Sequence, residues 1–133
     1  MKVLLIQPPV RFDQDPIDIP NGLGILASIA INENHQVALL DLNSKRPVPG
    51  WKYAAKQIAV EKWDVIGIGG LSSMYEDIKK LILICRKLNQ SALIVGGGGF
   101  ITYMPDKIMR FNPEIDIACI GAVSYTHLRA HET

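Results

Sequence analysis

Short apolar runs recur along the chain at residues 3–6, 37–42, 65–68, 93–95 and 115–120, and few of them alternate apolar with polar positions. Continuous runs rich in branched aliphatic residues predict strands of a sheet covered on both faces. Between them lie segments with helical spacing at 24–34, 51–62, 75–88 and, shorter, 105–111. Within 75–88, Ile78, Leu81, Ile82, Cys85 and Leu88 share one stripe while Glu76, Lys79, Lys80 and Lys87 take the other face. A helix packed by one side on a sheet has that pattern. Strands alternating with helices call for right-handed crossovers and a parallel sheet. The expected fold is therefore one α/β domain on a doubly wound, five-stranded parallel sheet of order 2-1-3-4-5, with helices on both faces.

Composition agrees with a single domain: 133 residues, 48% hydrophobic and 20% charged, can bury one real core. The net charge of +1 comes from interspersed acids and bases, so neither nucleic acid nor a membrane surface is expected as a partner. The first apolar run is far shorter than the roughly 18 residues of a membrane span. Cys85 and Cys119 have neither a metal-ligand spacing nor the density of a disulfide framework, and the cytoplasm is the expected location.

Residues 123–133, VSYTHLRAHET, break the pattern and have no strand or helix period. They look like translated sequencing-library adapter, so the expected domain is 1–121 with a non-native tail at 122–133; a natural polar tail is the alternative. His127, His131 and Glu132 are accordingly given no role as metal ligands.

In a doubly wound sheet the ligand lies beyond the carboxyl ends of the strands, so the loops there carry the chemistry. The first is Gln7-Pro8-Pro9-Val10, continuing through a Pro- and Asp-rich stretch to Pro20-Asn21-Gly22-Leu23-Gly24. The third strand is followed by Gly69-Gly70-Leu71-Ser72-Ser73, the fourth by Gly96-Gly97-Gly98-Gly99-Phe100, and the fifth by Gly121. Glycine there lets the backbone approach a large flat or phosphate-bearing ligand. A tight, closely packed strand-to-helix connection is the better explanation of an isolated Gly-Gly pair, but a second Gly-rich loop on the neighbouring strand favours the ligand. Ser72 and Ser73 are both N-cap residues by type; one serine suffices for capping, and the other hydroxyl would face the crevice to donate to a ring nitrogen or a phosphate.

Several chemistries lack their residues. A dinucleotide fingerprint needs glycines in the first loop, where Pro8 and Pro9 stand; a Walker loop needs its lysine and serine spacing; a phospho-acceptor receiver needs acids where Gln7 and Gly69 stand. His35, in Asn34-His35-Gln36, sits at the turn into the second strand, on the amino-end side of the sheet, and is read as a turn residue away from the site.

Taken in order, the run 2–9 (KVLLIQPP), the run 20–28 (PNGLGILAS), Asn34-His35-Gln36-Val37 and Asp41 resemble the N-terminal domain of cobalamin-dependent radical SAM enzymes. These are the relatives of the anaerobic magnesium-protoporphyrin ester cyclase and of class B radical methylases. The run 64–71 (DVIGIGGL) with Val95-Gly96-Gly97-Gly98-Gly99 is similar to the cobalamin module of methionine synthase. The resemblance covers residues 1–121 and implies a cobalamin-binding module. The corrin would rest on the first loop, with Gln7, Pro8, Pro9, Gly22 and Gly24. The benzimidazole tail would be lined by Gly69, Gly70, Leu71, Ser72 and Ser73, and by Gly97, Gly98, Gly99, Phe100 and Gly121.

Mutase-type modules carry D-x-H-x-x-G after the first strand. Asp13, Asp15 and Asp18 occur in this loop without a histidine, so the resemblance implies no histidine lower ligand from this domain. It also places S-adenosylmethionine and a [4Fe–4S] cluster in a downstream barrel, because the C-x-x-x-C-x-x-C that holds such a cluster is not in this sequence. The chain is thus expected to be a truncated, noncatalytic fragment without catalytic or metal-binding residues of its own, and only marginally stable if a sheet face is left uncovered. The alternative is a flavodoxin-like module that binds a flavin or nucleotide or serves as an interaction domain.

Overall fold

The structure is a computed structural model describing residues 1–9, 21–42 and 50–121. Strands β1 (Lys2–Gln7), β2 (Gln36–Asp41), β3 (Val65–Gly69), β4 (Leu93–Gly97) and β5 (Ile117–Cys119) are all parallel, in the predicted order β2-β1-β3-β4-β5. Helices α1 (Asn21–Asn32), α2 (Trp51–Ile58), α3 (Tyr75–Leu88), α4 (Gly99–Thr102) and α5 (Pro105–Phe111) make the connections.

One face of the sheet carries the core. Leu4, Ile6, Ile66, Ile68 and Ile94 are buried there against Ala54 and Ile58 of α2 and Ile78, Leu81, Ile82 and Cys85 of α3. The predicted stripe of α3 is the buried one, although Leu88 at its end is exposed. Each large aliphatic side chain removed from water there contributes about 1.5–3 kcal/mol. Burial pushes the Cys85 thiol up to about 12, so it acts as a small apolar residue.

Element ends differ from the sequence pattern for local reasons. Helix α2 stops at Ile58 instead of 62 because the Trp63 indole donates to the Ile58 carbonyl at 2.8 Å, taking the acceptor that a longer helix would use. The Trp63 amide donates to Asn89 Oδ1 at 3.0 Å, tying this corner to the end of α3. Helix α1 begins three residues earlier than its apolar stripe suggests, at Asn21. Strand β5 is three residues long, because Ile115 turns into the core before it.

The other face departs from the prediction of complete cover. Among the described residues only α1 lies over it, on the side of β1 and β2. Val65, Gly67, Val95 and Cys119 are left half-buried. No helix among the described residues is long and apolar enough to cross a membrane.

At the amino edge, Arg86 braces three segments. Its guanidinium donates to the carbonyls of Gln90 (3.0 Å), Ala92 (2.8 Å) and Glu114 (2.8 Å) and to Asp116 Oδ2 (2.8 Å). The Ile94 amide donates to the same carboxylate oxygen, which, with Arg86, holds Asp116 below its ordinary value. A depressed folded-state value means that this stabilisation is present above the ordinary carboxylate range and is lost as pH falls through the lowered one. Arg86→Ala is expected to cost about 2 kcal/mol in urea unfolding at pH 7, and to flatten the acid limb of the stability curve. Unchanged unfolding would show the brace to be idle.

Candidate functional site

The half-covered face encloses a cavity of about 590 Å³ that runs the length of the sheet. Its floor is Val3, Leu5 and Gln7 of β1, Val65, Gly67 and Gly69 of β3, Val95 and Gly97 of β4, and Cys119 of β5. Strand alternation puts these side chains on one face, and the register sets Leu5 beside Gly67 and Gly69 beside Gly97. Leu23, Leu26, Ile29 and Ala30 of α1 form the wall above, at helical spacing. Gly70, Gly98 and Gly121 frame the carboxyl-end mouth, and Glu33 and His35 stand at the opposite end.

The mouth is held by a chain of hydrogen bonds among three loops. The Phe100 amide donates to the Gly70 carbonyl at 3.0 Å, and the Ser72 hydroxyl donates to the Gly99 carbonyl at 3.3 Å. The Thr102 hydroxyl donates to the Gly98 carbonyl at 2.7 Å and accepts from the Gly121 amide at 3.3 Å. Loops fixed in this way present their backbone groups to a ligand without being ordered by it. Gly98 is the tightest point: φ is +85°, and a Cβ built there would lie 2.9 Å from the Gly70 oxygen. Only glycine lets the two loops lie that close.

Of the sequence-predicted residues, Gln7, Gly69, Gly70, Gly97, Gly98 and Gly121 line the cavity. Pro8 and Pro9 are buried just past β1, and the continuation of that loop through Asp13, Asp15 and Asp18 lies outside the described residues, as does 122–133. Gly22 and Gly24 belong to α1, and open space surrounds the Cβ position of Gly24. Leu71, Ser72 and Ser73 are exposed on the rim, with Leu71 Cδ2 3.6 Å from where a Cβ on Gly99 would be.

Three readings change. Neither serine caps the helix: α3 is entered through a 3-10 turn at Ser72–Met74 closed by the Met74 amide on the Leu71 carbonyl, with no side-chain cap. Phe100 points to the opposite face, where it is buried beside Gly96 and Ile101. His35, read as remote, lines the far end of the same cavity. It does so because the cavity extends to the amino edge, past the low floor at Val65 and Gly67. The α1 wall and Cys119 were also not singled out; the helical stripe Leu23, Leu26 and Ala30 was the available signal.

The cavity surface is aliphatic between its two ends. Burial raises the Cys119 thiol, so it meets a ligand as a neutral group. No group of three or more His, Cys, Asp or Glu side chains among the described residues could hold a metal ion. Such a site can bury a long, flat, partly apolar extension while its parent ring stays at the glycine mouth.

A model of the B12 binding domain family matches residues 17–128. An uncharacterized methyltransferase of Pyrococcus horikoshii is 30% identical over 125 residues, covering 91% of this chain and 27% of that protein. The fold also superposes on the radical S-adenosylmethionine methyltransferase TsrM of Kitasatospora setae, solved with cobalamin and a [4Fe-4S] cluster bound: TM-score 0.69, 24% identity, 84% of this chain and 21% of that one. A third match is the cobalamin-dependent S-adenosylmethionine radical enzyme OxsB with aqua-cobalamin bound, at TM-score 0.74 and 20% identity over 97% of this chain. The chain spans about a quarter of the methyltransferase (27%) and about a fifth of the two solved chains (21% and 18%). With 17–128 inside the family match and its glycine loops at the mouth of an apolar cavity, this chain belongs to the B12-binding domain family.

Proposed function

We propose that the chain holds cobalamin with the corrin over the glycine mouth and the nucleotide tail along the sheet face, as the cofactor domain of a longer radical SAM enzyme that transfers methyl groups or forms a ring. The observation that carries this is the continuity of the cavity: it opens between Gly70 and Gly98 and continues beneath α1 to His35. Gly70, Gly97 and Gly98 carry no side chain, and the backbone of Gly98 packs directly on that of Gly70, so a bulky ring can approach the backbone at this mouth. Bound cobalamin supplies a cobalt centre able to carry a methyl group.

The residues of this chain bind, orient and exclude water. Gly70, Gly98 and Gly121 give close backbone approach, Leu5, Val95, Leu26 and Ile29 keep the tail dry, and Gln7 offers an amide at the mouth. In this reading the binding unit is 1–121, with 122–133 no part of it. It contributes no catalytic residue and no histidine to cobalt; S-adenosylmethionine and the iron–sulfur cluster are held by a further domain of the longer protein.

Titrating the purified chain with hydroxocobalamin is expected to give a base-off spectrum that stays with the protein through desalting, since a tail lodged in the cavity keeps the base from cobalt. A folded protein that remains colourless would overturn the proposal, and a retained flavin spectrum would replace it with the flavodoxin-like reading.

A further inference from the structure

His35 is half-buried in the turn between α1 and β2, its amide donating to the Ala30 carbonyl at 3.0 Å. The preceding Asn34 has φ of 67°, in the left-handed region that asparagine tolerates at a turn. Imidazole Nδ1 lies 3.2 Å from the Met1 amine. With the Met1 nitrogen as the donor in that contact, Nδ1 accepts and a neutral ring carries its proton on Nε2. Nε2–H is then the donor His35 can offer, and the residue lines the end of a cavity whose intervening floor, Val3, Leu5, Val65 and Gly67, has no side-chain hydrogen-bonding group. Glu33, at the same end, is an acceptor when ionised and cannot take that role.

From Gln7 to Val3 the strand covers roughly 13 Å, so only a ligand with a long extension reaches His35. Resting on the cobalamin reading above, we infer that His35 reads the lower base of the bound cobamide: it donates from Nε2 to an acceptor nitrogen of the base at the end of the nucleotide tail. The domain therefore distinguishes cobamides with a nitrogenous base from those whose lower group is a phenol ether without ring nitrogen. His35 is a specificity-determining residue that sequence position alone assigned to a turn.

The test compares retention of cobalamin, p-cresolylcobamide and cobinamide, which lacks the tail, by the wild-type chain, His35→Phe and His35→Asn. Wild type is expected to bind cobalamin about fivefold tighter than p-cresolylcobamide, the worth of one net hydrogen bond. His35→Phe abolishes that preference and leaves cobinamide affinity unchanged, while His35→Asn, which keeps a donor, restores part of it. A preference that survives in His35→Phe, or is missing from the wild type, overturns the inference. If cobinamide binds the wild type as tightly as cobalamin, the corrinoid reading stands and the role of His35 falls. If the folded chain retains none of the three, both fall.

Discussion

Gly98→Ala is expected to release cobalamin from the protein and to lower its stability by about 2–4 kcal/mol. Gly98 has φ of 85° and ψ of −170°, a region that is essentially glycine's alone and costs a side-chain-bearing residue on the order of 1–3 kcal/mol. The added methyl would also stand 2.9 Å from the Gly70 oxygen and 3.0 Å from the Gly70 nitrogen. Both are backbone atoms and cannot swing aside as a side chain would. The loops after β3 and β4 must therefore separate, losing the Phe100 amide bond to Gly70, worth about 1 kcal/mol net. Urea unfolding and a spectral titration read the two effects separately. Gly50→Ala is the matched control: it precedes α2 at φ −74° with open space at its Cβ position and lines no part of the cavity, so it should leave binding intact and change stability by less than about 1 kcal/mol. A Gly98→Ala protein that still retains the cofactor would show that the close approach of the loops is not what holds it.

Gly67→Val is expected to reduce cobalamin affinity by at least about tenfold, or 1.4 kcal/mol, while leaving cobinamide binding and the fold largely unchanged. Gly67 sits mid-strand on the cavity floor, and a Cβ there meets Leu5 Cδ2 at 2.9 Å. That neighbour is the far end of a flexible side chain, so the strand tolerates the substitution at the ordinary overpacking cost of about 1–3 kcal/mol. Valine also suits a strand better than glycine does. What changes is the room between the mouth and His35, which only a tail-bearing cobamide needs. Equal losses for cobalamin and cobinamide would mean that the mouth itself was damaged. No loss for either would mean that the tail lies elsewhere.

The α3 stripe Ile78, Leu81, Ile82 and Cys85 was legible because its spacing is set by the helix alone, and the structure buries those four residues. The glycine loops were legible because glycine in a strand-to-helix turn is costly unless something needs the space. Ser72 and Ser73 misled for the opposite reason. Residue type permits an N-cap, but the geometry of entry into α3 decides whether a free amide is there to donate to the hydroxyl, and a 3-10 turn closed by backbone removed the need. Phe100 misled because its position after four glycines says nothing about which face of the sheet a one-turn helix will present it to.

Local patterning, then, determined the strand and helix order, and with it the parallel sheet of order 2-1-3-4-5 and the carboxyl-end location of the glycine mouth. Both follow from periodicity and from the handedness of crossovers, which act within one or two neighbouring elements. Only the tertiary structure decided that the mouth opens into a cavity running to the opposite edge. That depends on how α1 stands over β1 and β2 and on where Gly67 falls opposite Leu5, distances between segments far apart in the chain. The same packing brought His35 into the site: its own sequence neighbourhood marks a turn, and its place at the end of the cavity exists only once the sheet has paired Gln36 with Lys2.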